Sequence, residues 1–253
     1  MIFSKVIKSL IGLFPIIIFL ILWEIVARIY LMSGNFFLPP FTVVIAEFYN
    51  LTVNGVLGNN FISSLSRVLI GFSFGTIAGI IVGVLTGWNY LADRALSPII
   101  SLLYPIPALG WLPLLMLWLG IGELLPITII FICSFFPILY NTSTGIKTVD
   151  KNYIKVARTL GASDKELLFS VVIPMALPNI FTGLKLESGM AWRVIIVAEM
   201  VAIPTGIGAL MMRAESLMRI DIIIVCLIVL AIMCFIFERF FLFLEIKFTG
   251  KWR

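Results

Sequence analysis

Uncharged apolar runs of bilayer-spanning length constrain this chain more than any other feature. Residues 95–122 and 124–146 contain no Asp, Glu, Lys or Arg. A helix crosses the hydrocarbon core with about 20 predominantly apolar residues, and each window is long enough. No soluble surface hides so much apolar side chain. Of the 253 residues, 61% are hydrophobic and 12% charged, against about 45–50% and about 25% in a soluble domain. In lipid the backbone must satisfy its own hydrogen bonds, so such runs become helices. The expectation is an all-α membrane protein forming a single transmembrane domain, 1–253.

The composition also removes functions. Histidine is absent, which takes away the commonest metal ligand. Cys133, Cys226 and Cys234 sit in apolar runs without metal-ligand spacing and read as packing residues. No metal is expected. The net charge of +5 has no dense basic run behind it, so a nucleic-acid partner is not expected. No G-x-x-x-x-G-K-[ST] phosphate loop occurs, so the chain should neither bind ATP and Mg nor hydrolyse ATP by itself.

Lys5 and Lys8 precede an apolar run, as in a signal peptide, but the run continues to Ile29 without a clear small-residue cleavage site. It reads as a first membrane helix, Ile11–Tyr30. A loop with a short helix near Thr42–Tyr49 follows. Further spans are expected at Ser64–Trp88, Ala95–Gly122, Leu124–Ile146, Leu177–Val201 and Ile222–Phe243, about six in all. Six spans put both termini on one side. That side would hold Lys5, Lys8, Arg94, Lys147, Lys151, Lys155, Arg158, Lys165, Lys247, Lys251 and Arg253. The other would hold Arg28, Arg67, Arg213 and Arg219. Cytoplasmic loops carry the excess of Lys and Arg, so both termini are expected in the cytoplasm.

Within the second span, Gly71, Gly75, Gly79, Gly83 and Gly87 recur every four residues. They form a stripe without side chains about 24 Å long at 1.5 Å per residue. Such a stripe lets a helix backbone approach closely, within the subunit or against a second copy. A role in lining a pathway is the other reading. Pro105, Pro107 and Pro113 disturb the third span. It is either a moving or substrate-facing segment or a packed, kinked helix.

Between spans four and five lies an island of charge, with eight charged residues in the twenty positions from Lys147 to Glu166. Asp150 can cap a helix beginning at Lys151. Gly161 stands where a left-handed residue stops a helix. Ser163 and Glu166 have capping-box spacing. Two short helices joined by a Gly161-Ala162-Ser163 turn should result, with Pro174 and Pro178 disturbing the chain beyond them. Lys155, Arg158 and Lys165 would stand on the surface, and Val156, Leu160, Leu167 and Leu168 would supply apolar faces. Orienting the chain needs only a few positive charges, so two capped helices point to a docking platform for a cytoplasmic partner. Ionisable residues inside spans are pathway candidates. Glu187, Arg193 and Glu199 qualify, with Tyr104 as a possible hydrogen-bonding group. Arg193 would attract an anion or pair with an acid. Glu199 would support structure or gating.

The island resembles the cytoplasmic loop of permeases of ATP-binding-cassette importers, whose pattern is Glu-Ala-Ala, three residues, Gly, nine residues, Ile-x-Leu-Pro. Here Lys155-Val156-Ala157, Gly161 and Val171-Val172-Ile173-Pro174 keep that spacing, with Lys155 in place of the opening Glu. "FLPPFTVV", "SSLSRVLIGFSFG", "YPIPALGWLPLLMLWLGIGE", "FFPILYNTSTGIKTVD", "ARTLGAS" and "AWRVIIVAEM" resemble the branch importing nitrate, taurine and alkanesulfonates. The likeness covers roughly 38–245. It implies a type I importer fold in the prokaryotic inner membrane and a permease working as a pair. It also implies two ATPase subunits that bind ATP and Mg, and an extracytoplasmic substrate-binding protein. Coupling would run through the loop 147–175, centred on Lys155, Val156, Ala157, Arg158, Gly161, Ala162, Ser163, Asp164 and Glu166. The solute implied is a small anion, aliphatic sulfonate or taurine ahead of nitrate or bicarbonate, with a thiamine-precursor pyrimidine as the alternative. A self-sufficient secondary transporter is the competing class, but no internal repeat is evident.

Overall fold

The computed structural model describes residues 2–34 and 37–249, with side chains described from residue 14 onward. Lys251 and Arg253, and the side chains of Lys5 and Lys8, lie outside the described residues. In chain order the helices are α1 (Ile2–Met32), α2 (Phe41–Val53), α3 (Val56–Trp88), α4 (Tyr90–Leu103), α5 (Leu112–Leu119) and α6 (Leu124–Lys147). They continue with α7 (Lys151–Thr159), α8 (Asp164–Glu166), α9 (Ile173–Ala202), α10 (Ile207–Ser216) and α11 (Ile220–Thr249). Among the described residues, five helices are long and apolar enough to cross a membrane, and α4 with α5 makes a sixth, bent span.

Three elements differ from the sequence expectation. The third span is not one kinked helix from Ala95 to Gly122. It begins at Tyr90 and breaks at Tyr104–Pro107 with an 83° bend. Pro105 and Pro107 each lack the N–H that would continue the ladder, so the helix stops at Tyr104, which itself keeps helical dihedrals (φ −57°, ψ −40°). Pro113 sits at the start of α5, where a missing N–H costs nothing. The second helix of the charged island is also not a separate short piece. A π-helical turn, Leu167–Val172, joins α8 to α9, so Asp164–Ala202 is one continuous helix. The wider turn gives room just before Pro174, whose ring would otherwise press on the carbonyl four residues earlier. Finally, α10 has no counterpart among the expected elements. It packs its buried residues Ile207, Leu210 and Ala214 into the main core.

The core is built where α3, α6, α9 and α11 meet. Lipid tails give apolar helices no hydrophobic reason to associate, so close fit must hold them. All five glycines of the stripe face α6. A Cβ on Gly71 would lie 2.6 Å from the Ile127 carbonyl oxygen, and one on Gly75 2.8 Å from that of Phe131. Farther along, Gly79 meets the Phe135 carbonyl at 2.9 Å, Gly83 meets Thr142 Cβ at 2.6 Å and Gly87 meets Ile146 Cβ at 2.8 Å. On α9, Trp192 is buried, stacked at 6.3 Å on Phe61 of α3 and edge-on at 5.4 Å to Phe237 of α11. α1 stands apart, bonded to the start of α2 through Trp23 Nε1 to the Pro39 carbonyl (3.2 Å) and Thr42 Oγ1 to Glu24 (3.0 Å). Its other large side chains, such as Phe14, Phe19 and Leu22, are exposed, as suits a lipid-facing helix.

Gly83→Val should lower the thermal unfolding midpoint in detergent, since overpacking a tight seam costs about 1–3 kcal/mol. Gly58 lies in the same helix with nothing within 4 Å of its Cβ position. Gly58→Ala should therefore be neutral or stabilising by up to about 1 kcal/mol.

Candidate docking loop and membrane pathway

The charged island folds into a stiff, twice-capped unit. Asp150 Oδ1 accepts from the Asn152 N–H at 2.9 Å and starts α7. Gly161 ends it at φ +89°. The Gly161 N–H donates to the Arg158 carbonyl (3.0 Å) and the Ala162 N–H to the Ala157 carbonyl (3.1 Å), the bond pair of a Schellman stop. Ser163 and Glu166 close a reciprocal capping box, with the Ser163 N–H donating to Glu166 Oε2 at 2.8 Å and the Glu166 N–H to Ser163 Oγ at 3.4 Å. Arg158 pairs with Asp164 across the turn at 3.0 Å.

This unit presents its apolar side chains outward. Tyr153, Val156 and Leu160 recur at helical spacing along one face of α7 and are 56%, 60% and 83% exposed. Phe169, on the π-helical turn, is 67% exposed. Ala157 and Ala162 are half-buried. Lys155 is exposed. With Trp88, Lys151, Ile154, Arg158 and Asp164 it lines a surface depression, and it makes no ion pair among the described residues. An apolar face rimmed by cations is the chemistry of a protein-docking surface.

At the opposite end of the spans lies a buried charge cluster. All five N–H donors of Arg67, on α3, are engaged. Nε and Nη2 form a fork onto Glu123 at 2.6 and 2.7 Å. Nη1 donates to Glu199 Oε1 at 2.7 Å and to the Thr205 carbonyl at 2.8 Å, and Nη2 donates to Thr205 Oγ1 at 2.7 Å. Glu199, fully buried, also accepts from Ser64 Oγ at 2.8 Å and from the Gly208 N–H at 3.0 Å. Asn60 Oδ1 accepts the Gly206 N–H at 2.9 Å, and Ser64 Oγ accepts the Ile207 N–H at 2.9 Å. One face of α3 thus pins the segment between α9 and α10. That segment passes so close that a side chain at Gly206 would run into the Glu199 carboxylate. Arg67 holds the Glu123 carboxyl below its ordinary value of 4.5.

The four pathway candidates do not form one site. Glu199 belongs to the cluster just described. Arg193 is exposed, with Nη1 3.5 Å from Met190 Sδ, and no acid pairs with it among the described residues. Tyr104 and Glu187 do come together. Both line a cavity of about 260 Å³ at the break between α4 and α5, and Tyr104 stacks on Tyr140 at 5.5 Å. The sequence reading missed Ser64 and Arg67 as partners of Glu199, and Glu123 and Thr205 as partners of Arg67. It also missed the Lys185–Glu245 pair (2.6 Å) that ties α9 to α11. Arg67 lies four residues before Gly71, on the glycine face, and that position was the available signal.

A family model described as "Binding-protein-dependent transport system inner membrane component" matches residues 75–249. The sequence is 38% identical to a putative ABC transporter permease protein of Methanocaldococcus jannaschii over 238 residues, 92% of this chain and 88% of that one. It is 32% identical to the taurine transport system permease protein of Escherichia coli over 226 residues, 87% of this chain and 82% of that one. Other relatives are named for aliphatic sulfonate, nitrate and bicarbonate transport. Among solved structures, a chain of the inward-facing MetNI methionine ABC transporter superposes with a TM-score of 0.59 at 16% identity, covering 75% of this chain and 96% of that one. At that identity the likeness is one of fold.

Arg67→Met should cost about 3–5 kcal/mol, because it strands a buried carboxylate. Glu123 has a side chain 64% exposed, so Glu123→Gln should cost no more than about 1 kcal/mol. Thermal unfolding of the two variants checks the order. The Glu123 contribution should be complete above pH 4.5 and be lost as pH falls through its lowered value, since a depressed carboxyl stabilises only while ionised.

Proposed function

The chain belongs to the family of inner membrane components of binding-protein-dependent transport systems, and from that premise we propose that two copies of it form the pathway of a type I ATP-driven importer. Both termini and the loop 147–175 face the cytoplasm in this reading. An extracytoplasmic binding protein delivers solute at the opposite face, near the Arg67 cluster. Two ATPase subunits, which bind ATP and Mg, dock on α7 and the capped turn.

The observation that carries this reading is the exposed Tyr153, Val156 and Leu160 face on a unit held rigid by caps at both helices. A solvated loop gains nothing from such a face, whereas a coupling element needs both stiffness and an apolar contact. The helix leaving the Ser163–Glu166 box runs without interruption to Ala202. A displacement of the turn by a closing ATPase is therefore delivered along α9, which carries Glu187 and reaches Glu199. A secondary transporter would have no use for this face.

For the solute, a small anionic compound is proposed, with taurine or another aliphatic sulfonate ahead of nitrate or bicarbonate. Relatives named for taurine, aliphatic sulfonate, nitrate and bicarbonate transport support the small-anion class. A thiamine-precursor pyrimidine is the second reading, and the stacked Tyr104–Tyr140 pair beside the cavity favours it.

Gly161 has nothing within 4 Å of its Cβ position, so a side chain there acts only through the left-handed backbone, at about 1–2 kcal/mol. Gly161→Val should insert normally but uncouple ATP hydrolysis from transport in the reconstituted assembly. Substrate-stimulated turnover equal to that of the unaltered protein would sink the coupling role. Lys155→Glu should weaken co-purification of the ATPase, and an acid-to-Lys exchange on the ATPase should restore it. An unchanged yield with Lys155→Glu would count against an acidic partner for Lys155.

A further inference from the structure

The cavity at the α4–α5 break holds a buried acid that the fold does not use. Glu187 is 8% exposed. Its Oε2 lies 3.5 Å from the Cys133 thiol, a weak donor, and its Oε1 accepts no hydrogen bond among the described residues. Glu199, the other buried acid on α9, has every oxygen occupied. Glu187 therefore bears an acceptor that is both desolvated and open to a space, which is costly unless something fills it.

The depth and the surroundings agree. Glu187 stands midway along α9 (Ile173–Ala202), about 21 Å from either end at 1.5 Å per residue. Facing it are Cys133 and Pro137 of α6. Pro137 has no N–H to give the Cys133 carbonyl four residues earlier, which leaves another acceptor at this level. Pro105 and Pro107 also line the cavity and remove donors there as well. The wall is thus rich in acceptors and poor in donors. Tyr104 adds an aromatic ring at the same place, and a ring face attracts a cation. The rest of the lining is apolar, as at Ile132, Phe136 and Val194. A volume of about 260 Å³ lies just below the range typical of drug-sized ligands and suits a solute of a few heavy atoms.

We propose that this cavity is a mid-membrane solute subsite in which the Glu187 carboxyl receives an ammonium group, so that the solute is a small amino compound such as an aminosulfonate rather than a simple inorganic anion. The proposal rests on the importer reading and names the solute class within it. Glu187 would hold the ammonium, the apolar wall would take the carbon chain, and the anionic end would point out of the cavity.

The test uses the full chain in lipid nanodiscs with its partner ATPase. Saturation-transfer NMR compares taurine with isethionate, which has a hydroxyl in place of the ammonium and is otherwise the same size. Taurine should bind about tenfold more tightly, as expected for a hydrogen bond to a charged group. Glu187→Gln should abolish the difference, and Glu187→Asp should keep part of it. Equal binding of the two probes by the unaltered chain overturns the subsite, and so does an undiminished taurine preference in Glu187→Gln. If the Gln variant does not fold, the comparison on the unaltered chain still decides. Failure of the ATPase to co-purify with the unaltered chain would instead sink the importer reading, while the two-probe result would stand for the cavity alone.

Discussion

The close seam between α3 and α6 sets the spacing on which the rest of the molecule depends. Water drives helices together in a soluble protein, but lipid does not. Here contact comes from five glycines that let the α6 backbone lie directly against α3. Once α6 is that close, the face of α3 that continues the stripe is turned inward as well. Asn60, Ser64 and Arg67 are on that continuation and are buried. They are positioned to bond the segment after α9 only because the glycines have fixed the rotation of α3. The seam and the charge cluster are one device: the glycines supply proximity, and the polar residues supply register.

The same logic explains why α9 serves as the connecting element. It contacts α6 on one side and α11 on the other, with Trp192 locked between rings from α3 and α11. Its N-terminal extension through the π-helical turn contains the capping box. A flexible joint at Pro174 would have separated the capped turn from the core. The π-helical turn absorbs the proline without breaking the helix, so the capped turn and the buried cluster belong to one rod. An element fixed at its far end and exposed at its near end can be displaced only as a unit or by bending at its weakest turn, and the π-helical turn is that place.

Much of this was legible in the sequence, and the limits have physical causes. The spans followed from length and apolarity alone. Asp150, Gly161 and the Ser163–Glu166 pair announced the island because caps are local chemistry that depends on a few neighbours. The 83° break was only half legible: the prolines marked a disturbance, but its angle depends on what packs against α5. The continuity of Asp164–Ala202 was missed because a proline reads as a breaker, and the compensating π-helical turn has no sequence signature. Arg67 was counted as a topological charge, since a long-range pairing with Glu199, 132 residues away, cannot be read from spacing. α10 went unseen for a related reason. Its ten residues carry Arg213 and Glu215, and its helical character is secured by the core it covers.

The two acids of α9 illustrate how a carboxylate's role follows from donor supply rather than from burial. Both are more than nine-tenths buried. Glu199 receives an arginine, a serine hydroxyl and a backbone N–H, which leaves it no unmet demand and makes it part of the scaffold. Glu187 lies about three helical turns toward the N-terminus of α9 and receives one thiol. No other hydrogen bond reaches it among the described residues, and Pro105, Pro107 and Pro137 around the cavity carry no backbone N–H. A structural carboxylate so poorly served would be replaceable by an apolar side chain at a gain in stability. Its presence beside an open cavity midway along α9 is therefore better explained by a donor that arrives and leaves than by packing.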